Sequence, residues 1–135
     1  MKKLLIASAC LILGSNVAAE NLDGVDEMIC SAGTAQICLE TGDCYATTPW
    51  ELSVPDFVVI NTKKKTISTT KASGLNRSTE FNKVEKSDGL IYLQGIDRGR
   101  AFSFVIDEAT GRMTVAVSRD GLSVTVFGAC TDTDI

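Results

Sequence analysis

Histidine is absent from this 135-residue chain, and with it goes the commonest general base of protein chemistry. Ser-His-Asp and Cys-His machinery sets an imidazole against its nucleophile, so neither can operate here, and histidine metal sites are excluded on the same ground. A basic excess is also missing. Thirteen lysines and arginines face seventeen acids, for a net charge of −4, and phosphate-backbone binding needs a basic patch. No nucleic-acid partner is expected. The chain has no internal repeat, low-complexity tract or linker, and no glycine-rich phosphate loop. Gly95 and Gly99 flank a strand end and a hairpin, not the strand-to-helix junction such loops require.

Long apolar runs are lacking except at the start. Lys2 and Lys3 form a basic n-region, residues 4–13 an apolar h-region, and Val17-Ala18-Ala19 a small-residue cleavage site before Glu20. That is the layout of a cleaved signal peptide. A bilayer span needs about 18 or more apolar residues, and this run is broken by Gly14, Ser15 and Asn16. It also continues past Cys10, which argues against lipidation there. Cleavage leaves residues 20–135 as a single domain with no membrane span. Loss of two lysines brings the net charge to −6.

Of five cysteines, Cys10 leaves with the signal, and Cys30, Cys38, Cys44 and Cys130 remain. Disulfides persist in periplasmic and extracellular compartments, so two bridges are expected. Four thiols allow three pairings. Each joins Cys130 to one cysteine of the N-terminal cluster and leaves the other two to each other, so a long bridge is expected in every case. Metal binding is disfavoured because the spacing lacks the paired C-x-x-C of common zinc modules.

Turn residues divide the rest into short segments rich in Val, Ile, Thr and Phe, which read as strands. They cover residues 36–40, 44–46, 57–61, 66–71, 78–86, 90–96, 101–107, 112–118 and 122–128. Phe102, Phe104 and Ile106 alternate with Ala101, Ser103 and Val105; Met113, Val115 and Val117 alternate with Arg112, Thr114 and Ala116; Val124 and Val126 continue the apolar face, and Phe127 falls opposite. Such period-two patterning buries one face per strand. The connections are too short for parallel crossovers. The fold expected is all-β: a small antiparallel up-and-down barrel of about eight strands, stapled by disulfides, with a two-layer sandwich as the alternative. No substantial helix is expected, and residues 22–28 and 50–54 are expected to form short turns.

No nucleophile and base pair or metal motif emerges, so a non-catalytic protein without a cofactor is expected. Asp107 with Glu108, Asp43 with Glu40, and Asp132 with Asp134 fall in turns or the tail, where turn chemistry selects such residues. Binding elements are sought in the connections, since loops on rigid scaffolds carry recognition. The candidates are Ser73, Gly74, Asn76 and Arg77 in the longest loop, and Arg98 with Arg100, which share a turn and can clamp a carboxylate or phosphate. The Lys63-Lys64-Lys65 tip reads as solvated. Tyr45, Trp50 and Phe57 surround Pro49 and Pro55 and are expected to plug a barrel end.

Residues 61–70, 99–107 and 126–130 resemble stretches of small exported proteins of Gram-negative bacteria that carry no assigned activity. The resemblance implies a periplasmic or secreted location. Ser73-Gly74 is similar to the start of the loop motif of periplasmic C-type lysozyme inhibitors, small disulfide-bearing β-barrels that insert this loop into the lysozyme cleft. Asn76 and Arg77 stand where their tyrosine is expected, and no Trp-Lys-Gly element follows. The function expected is binding of a macromolecule through inter-strand loops by a monomer. The first alternative is a carrier of a small apolar, lipid-like ligand in the barrel interior, set second because the inward residues are expected to fill so narrow a barrel. The second alternative is lysozyme inhibition.

Overall fold

A computed structural model describes residues 21–134. The expected signal segment, its cleavage site and Cys10 lie outside the described residues. Ten strands form among the described residues: β1 (Glu27–Leu39), β2 (Cys44–Thr47), β3 (Phe57–Asn61), β4 (Thr66–Thr69), β5 (Ser78–Glu80), β6 (Lys83–Ser87), β7 (Leu90–Asp97), β8 (Arg100–Asp107), β9 (Arg112–Arg119) and β10 (Leu122–Asp132). Short 3₁₀ turns occupy Pro49–Leu52 and Lys71–Ser73.

Nine strands make one sheet in the order β5-β4-β3-β1-β10-β9-β8-β7-β6, with β2 attached to β1. Every pairing is antiparallel. The order is a meander whose first and last strands meet, and the sheet curls into a half-barrel. Two-residue turns make its tightest hairpins. Arg98 and Gly99 both have positive φ, as do Asp88 and Gly89, the conformation that matches the twist of flanking strands.

The meeting of β1 and β10 is fastened covalently. Cys30 lies directly opposite Cys130 in the ladder, and the two form a disulfide spanning 100 residues of chain. Cys38 and Cys44 close the β1–β2 hairpin with the second disulfide. The long bridge expected from the cysteine count is thus present, and Cys30 is the partner the sequence left open.

Two segments differ from the sequence reading. Residues 22–28 turn only at their start, where Val25 N–H donates to the Leu22 carbonyl at 3.0 Å; Leu22 is wholly buried, its N–H donates to the Glu108 carbonyl at 2.7 Å, and β1 already begins at Glu27. β1 is therefore much longer than residues 36–40. A bulge between Ala32 and Thr34 bends it where its partner changes from β3 to β2, as an extra residue increases local twist. The segment 78–86, read as one strand, is broken at Phe81 and Asn82. Its first part pairs with β4 and its second with β7, so this one stretch serves both ends of the sheet. At the corner, Phe81 N–H donates to the Lys65 carbonyl at 2.8 Å and Asn82 N–H to the Gln94 carbonyl at 2.8 Å. Asn82 Oδ1 accepts from Ile96 N–H at 2.9 Å.

The corner turns Phe81 inward, where it meets Phe102 and Phe104 edge-to-face at 5.7 and 5.6 Å between ring centres. This is the favoured arrangement for aromatic quadrupoles. Toward the end that carries the β6–β7 and β8–β9 turns, the interior is solid. Met28, Cys30, Ile60, Ile91, Leu93 and Ile106 are fully buried there, with Leu22 beneath them. The opposite end, which carries the β4–β5 loop and the β7–β8 turn, is open.

Candidate functional site

The inward faces of the strands leave an apolar cavity of about 200 Å³ at the open end. Its wall follows from the same alternation that builds the core. Phe102 and Phe104 come from β8, Met113, Val115 and Val117 from β9, Val126 from β10, Ala32 from β1, Val58 from β3 and Ile67 from β4. Leu52, Val54 and Pro55, in and after the first 3₁₀ turn, fold in from the side. A dry apolar cavity of ~150 Å³ accommodates benzene, while drug-sized pockets begin near ~300 Å³. The space therefore suits one ring or a short alkyl chain.

Gly95 shapes the cavity from across the ladder. It pairs with Phe102, and a Cβ at position 95 would strike the end of the Phe102 ring. The missing side chain lets the ring lie over β7.

The charged groups of the lining stand at the mouth. Arg77, Thr79, Asp97 and Arg100 line it. Arg77 immediately precedes β5, and its Nη1–H donates to the Ser53 carbonyl at 3.4 Å. Arg100 begins β8 opposite Asp97. Asp97 Oδ2 accepts from the Thr79 hydroxyl at 3.3 Å, across the gap between β5 and β7 where no ladder forms. Among the described residues the ion pair is Lys83–Glu85 at 3.4 Å. Neither Arg77 nor Arg100 has a carboxylate partner there, and both guanidiniums keep donors for an anion at the lip of an apolar space.

Of the residues singled out from the sequence, Arg77 and Arg100 both line the cavity and the others lie outside it. Ser73 is absorbed by its own loop: its hydroxyl donates to the Thr70 carbonyl at 2.7 Å and its Oγ accepts from Leu75 N–H at 3.3 Å. Gly74 ends the second 3₁₀ turn at φ 71°, and Asn76 has φ 46° in the exposed loop. Arg98 occupies the β7–β8 turn and is exposed. The lysine tip between β3 and β4 lies at the solid end. The carboxylates read as turn residues are used in turns. Asp107 Oδ1 accepts from the N–H groups of Ala109 and Thr110 at 2.9 and 3.1 Å, and Asp43 Oδ2 accepts from the Thr41 hydroxyl at 3.1 Å. No group of three or more metal-ligating side chains assembles among the described residues.

Tyr45, Trp50 and Phe57 do not plug the barrel. Each is at least half exposed. Phe57 pairs with Ser31 on the outer face, while Tyr45 and Trp50 sit on β2 and the 3₁₀ turn that rise beside the mouth. The end that is plugged is the other one, by Leu22. Val58, Ile67, Thr79 and Asp97 are cavity residues that sequence reasoning missed. Alternation in β3 and β4 held the signal for the first two, but Thr79 and Asp97 converge only through the Phe81–Asn82 corner.

No family model matches the chain, and no curated protein or solved structure matches it.

Proposed function

We propose that this protein is a non-catalytic exported binding protein that holds a small anionic amphiphile, with an apolar tail inside the half-barrel and a carboxylate or phosphate between Arg77 and Arg100. The observation that carries this reading is the pairing of the 200 Å³ apolar cavity with those two arginines at its lip. Binding sites of this type are mostly apolar with a few placed polar groups. The interior was expected to be filled by Phe102, Phe104, Ile106, Met113, Val115 and Val117. Ile106 is packed away, but the other five line the cavity wall, Phe102 and Val117 being only partly buried. This moves the carrier reading ahead of binding through the loop of residues 73–77, whose serine hydroxyl is already bonded within the loop.

Native mass spectrometry of the protein purified from its own host tests the reading. A stoichiometric small mass that is lost on denaturation, and displaced by millimolar octanoate, is the expected result. A co-purifying protein with no small mass, and no saturable octanoate binding by calorimetry, would return the assignment to the loops.

A further inference from the structure

Large apolar side chains stand exposed beside the cavity mouth. Trp50 is 72% exposed, Leu75 51% and Ile96 73%. Trp50 lies two residues before Leu52 and Leu75 two before Arg77, both of which line the cavity, and Ile96 stands on the outer face of β7 near its end, between inward Gly95 and the cavity residue Asp97. None of the three contributes to the buried core. Leaving such side chains in water gains nothing for the fold, and exposed apolar groups along one rim mark interaction surfaces.

Cations share this arc. Lys71 and Arg77 belong to the β4–β5 connection and Arg98 and Arg100 to the β7–β8 hairpin, four cations on a chain whose overall charge is −4. Two acids beside them are engaged with hydroxyls: Glu51 Oε2 accepts from Thr47 at 2.6 Å, and Asp97 Oδ2 accepts from Thr79 at 3.3 Å. Asp56 is a further acid near Pro55. The opposite arc of the same end, formed by the β1–β2 and β9–β10 turns, carries Glu40, Asp43 and Asp120 together with Arg119 at the end of β9. The first arc holds four cations against three acids and carries the apolar tips, and the second holds three acids against one cation, so the open end is polarised in net charge.

We infer that this arc docks on an anionic bilayer and places the cavity mouth against the lipid. The inference rests on the amphiphile reading and deepens it by naming the surface from which the ligand comes. Lysine and arginine near an anionic leaflet are drawn to it, tryptophan settles at the headgroup level, and leucine and isoleucine enter the acyl boundary. The acidic arc is held off by like charge, so docking is oriented. A ligand that slides from leaflet to cavity then keeps its tail out of water throughout.

Trp50 is the one tryptophan and reports directly. The experiment uses protein recovered after export, its first residue established by intact mass, mixed with vesicles of phosphatidylcholine alone or with an equal share of phosphatidylglycerol. Expected are a blue shift of Trp50 emission and co-sedimentation with the anionic vesicles, both suppressed by high salt. Leu75→Asp with Ile96→Asp should weaken partitioning at least tenfold, and Arg98→Ala about fivefold, the typical contribution of one surface cation. Equal partitioning onto both vesicle types, no emission shift, or unchanged partitioning of these variants would overturn the inference, as would capture of a protein partner through the same residues. Octanoate binding is measured alongside without vesicles. If octanoate binds and vesicles do not, docking alone fails; if vesicles bind through these residues and octanoate does not, docking stands and the amphiphile reading fails.

Discussion

Gly95 lies under the ring of Phe102, its partner across the β7–β8 ladder, so closely that a Cβ would collide with the ring. Gly95→Ala should push Phe102 toward the cavity, lower octanoate affinity at least tenfold and destabilise the fold by about 1–3 kcal/mol, as overpacking does. Gly95→Ala combined with Phe102→Leu should recover most of both. Calorimetric titration and urea unfolding measure the two effects.

Removing the paired disulfides should separate their contributions. The Cys30–Cys130 bridge closes a loop of 100 residues and the Cys38–Cys44 bridge one of six. In the chain-entropy account these are worth about 4–5 and about 2 kcal/mol. The double variant Cys30→Ser/Cys130→Ser should therefore show the far larger fall in urea midpoint, made larger still because both residues are buried.

Phe81 holds the corner of the sheet and the centre of the aromatic cluster. Phe81→Ala should destabilise by about 3–5 kcal/mol, the usual range for a buried aromatic. Near-ultraviolet circular dichroism should weaken in the same variant, since Phe102 and Phe104 lose their edge contacts with Phe81 and keep only the one between themselves. A change below 1 kcal/mol in thermal or urea unfolding would mean that the corner is held by its backbone bonds alone.

Head-group recognition is assigned to Arg77 and Arg100. Each Arg→Ala change should weaken octanoate by about tenfold, in line with a hydrogen bond to a charged group, and leave octanol binding nearly unchanged. Arg98→Ala, outside the cavity, should leave both ligands unaffected. Calorimetry at low and high salt distinguishes loss of a local contact from loss of general positive charge.

Much of the barrel was legible in the chain because alternation in residues 101–128 has a single physical solution: bulky residues inward, small or polar ones outward. The buried set of Phe104, Ile106, Met113, Val115 and Val126, and the exposed Phe127, follow it directly. The length of β1 was not legible. Its run Cys30-Ser31-Ala32-Gly33-Thr34-Ala35 is made of small residues with little strand signal, and it is strand because two neighbours pair with it. The break at Phe81–Asn82 was equally hidden, since β pairing on opposite edges leaves no mark in a local pattern. Arg77 and Arg100 were visible as candidates, yet 22 positions separate them in the chain, and only the curl of the sheet puts both at one mouth.

By itself, the sequence determined the all-β class, the turn positions, the need for a bridge from Cys130 to the N-terminal cluster, and the absence of imidazole chemistry. These depend on local periodicity, residue type and count. Tertiary structure alone decided that Cys30 is the partner, that one end of the interior is solid and the other open, and that arginines from separate loops face a common space. Those outcomes depend on strand register and on how far the sheet curls, which are set by contacts between residues distant in the chain.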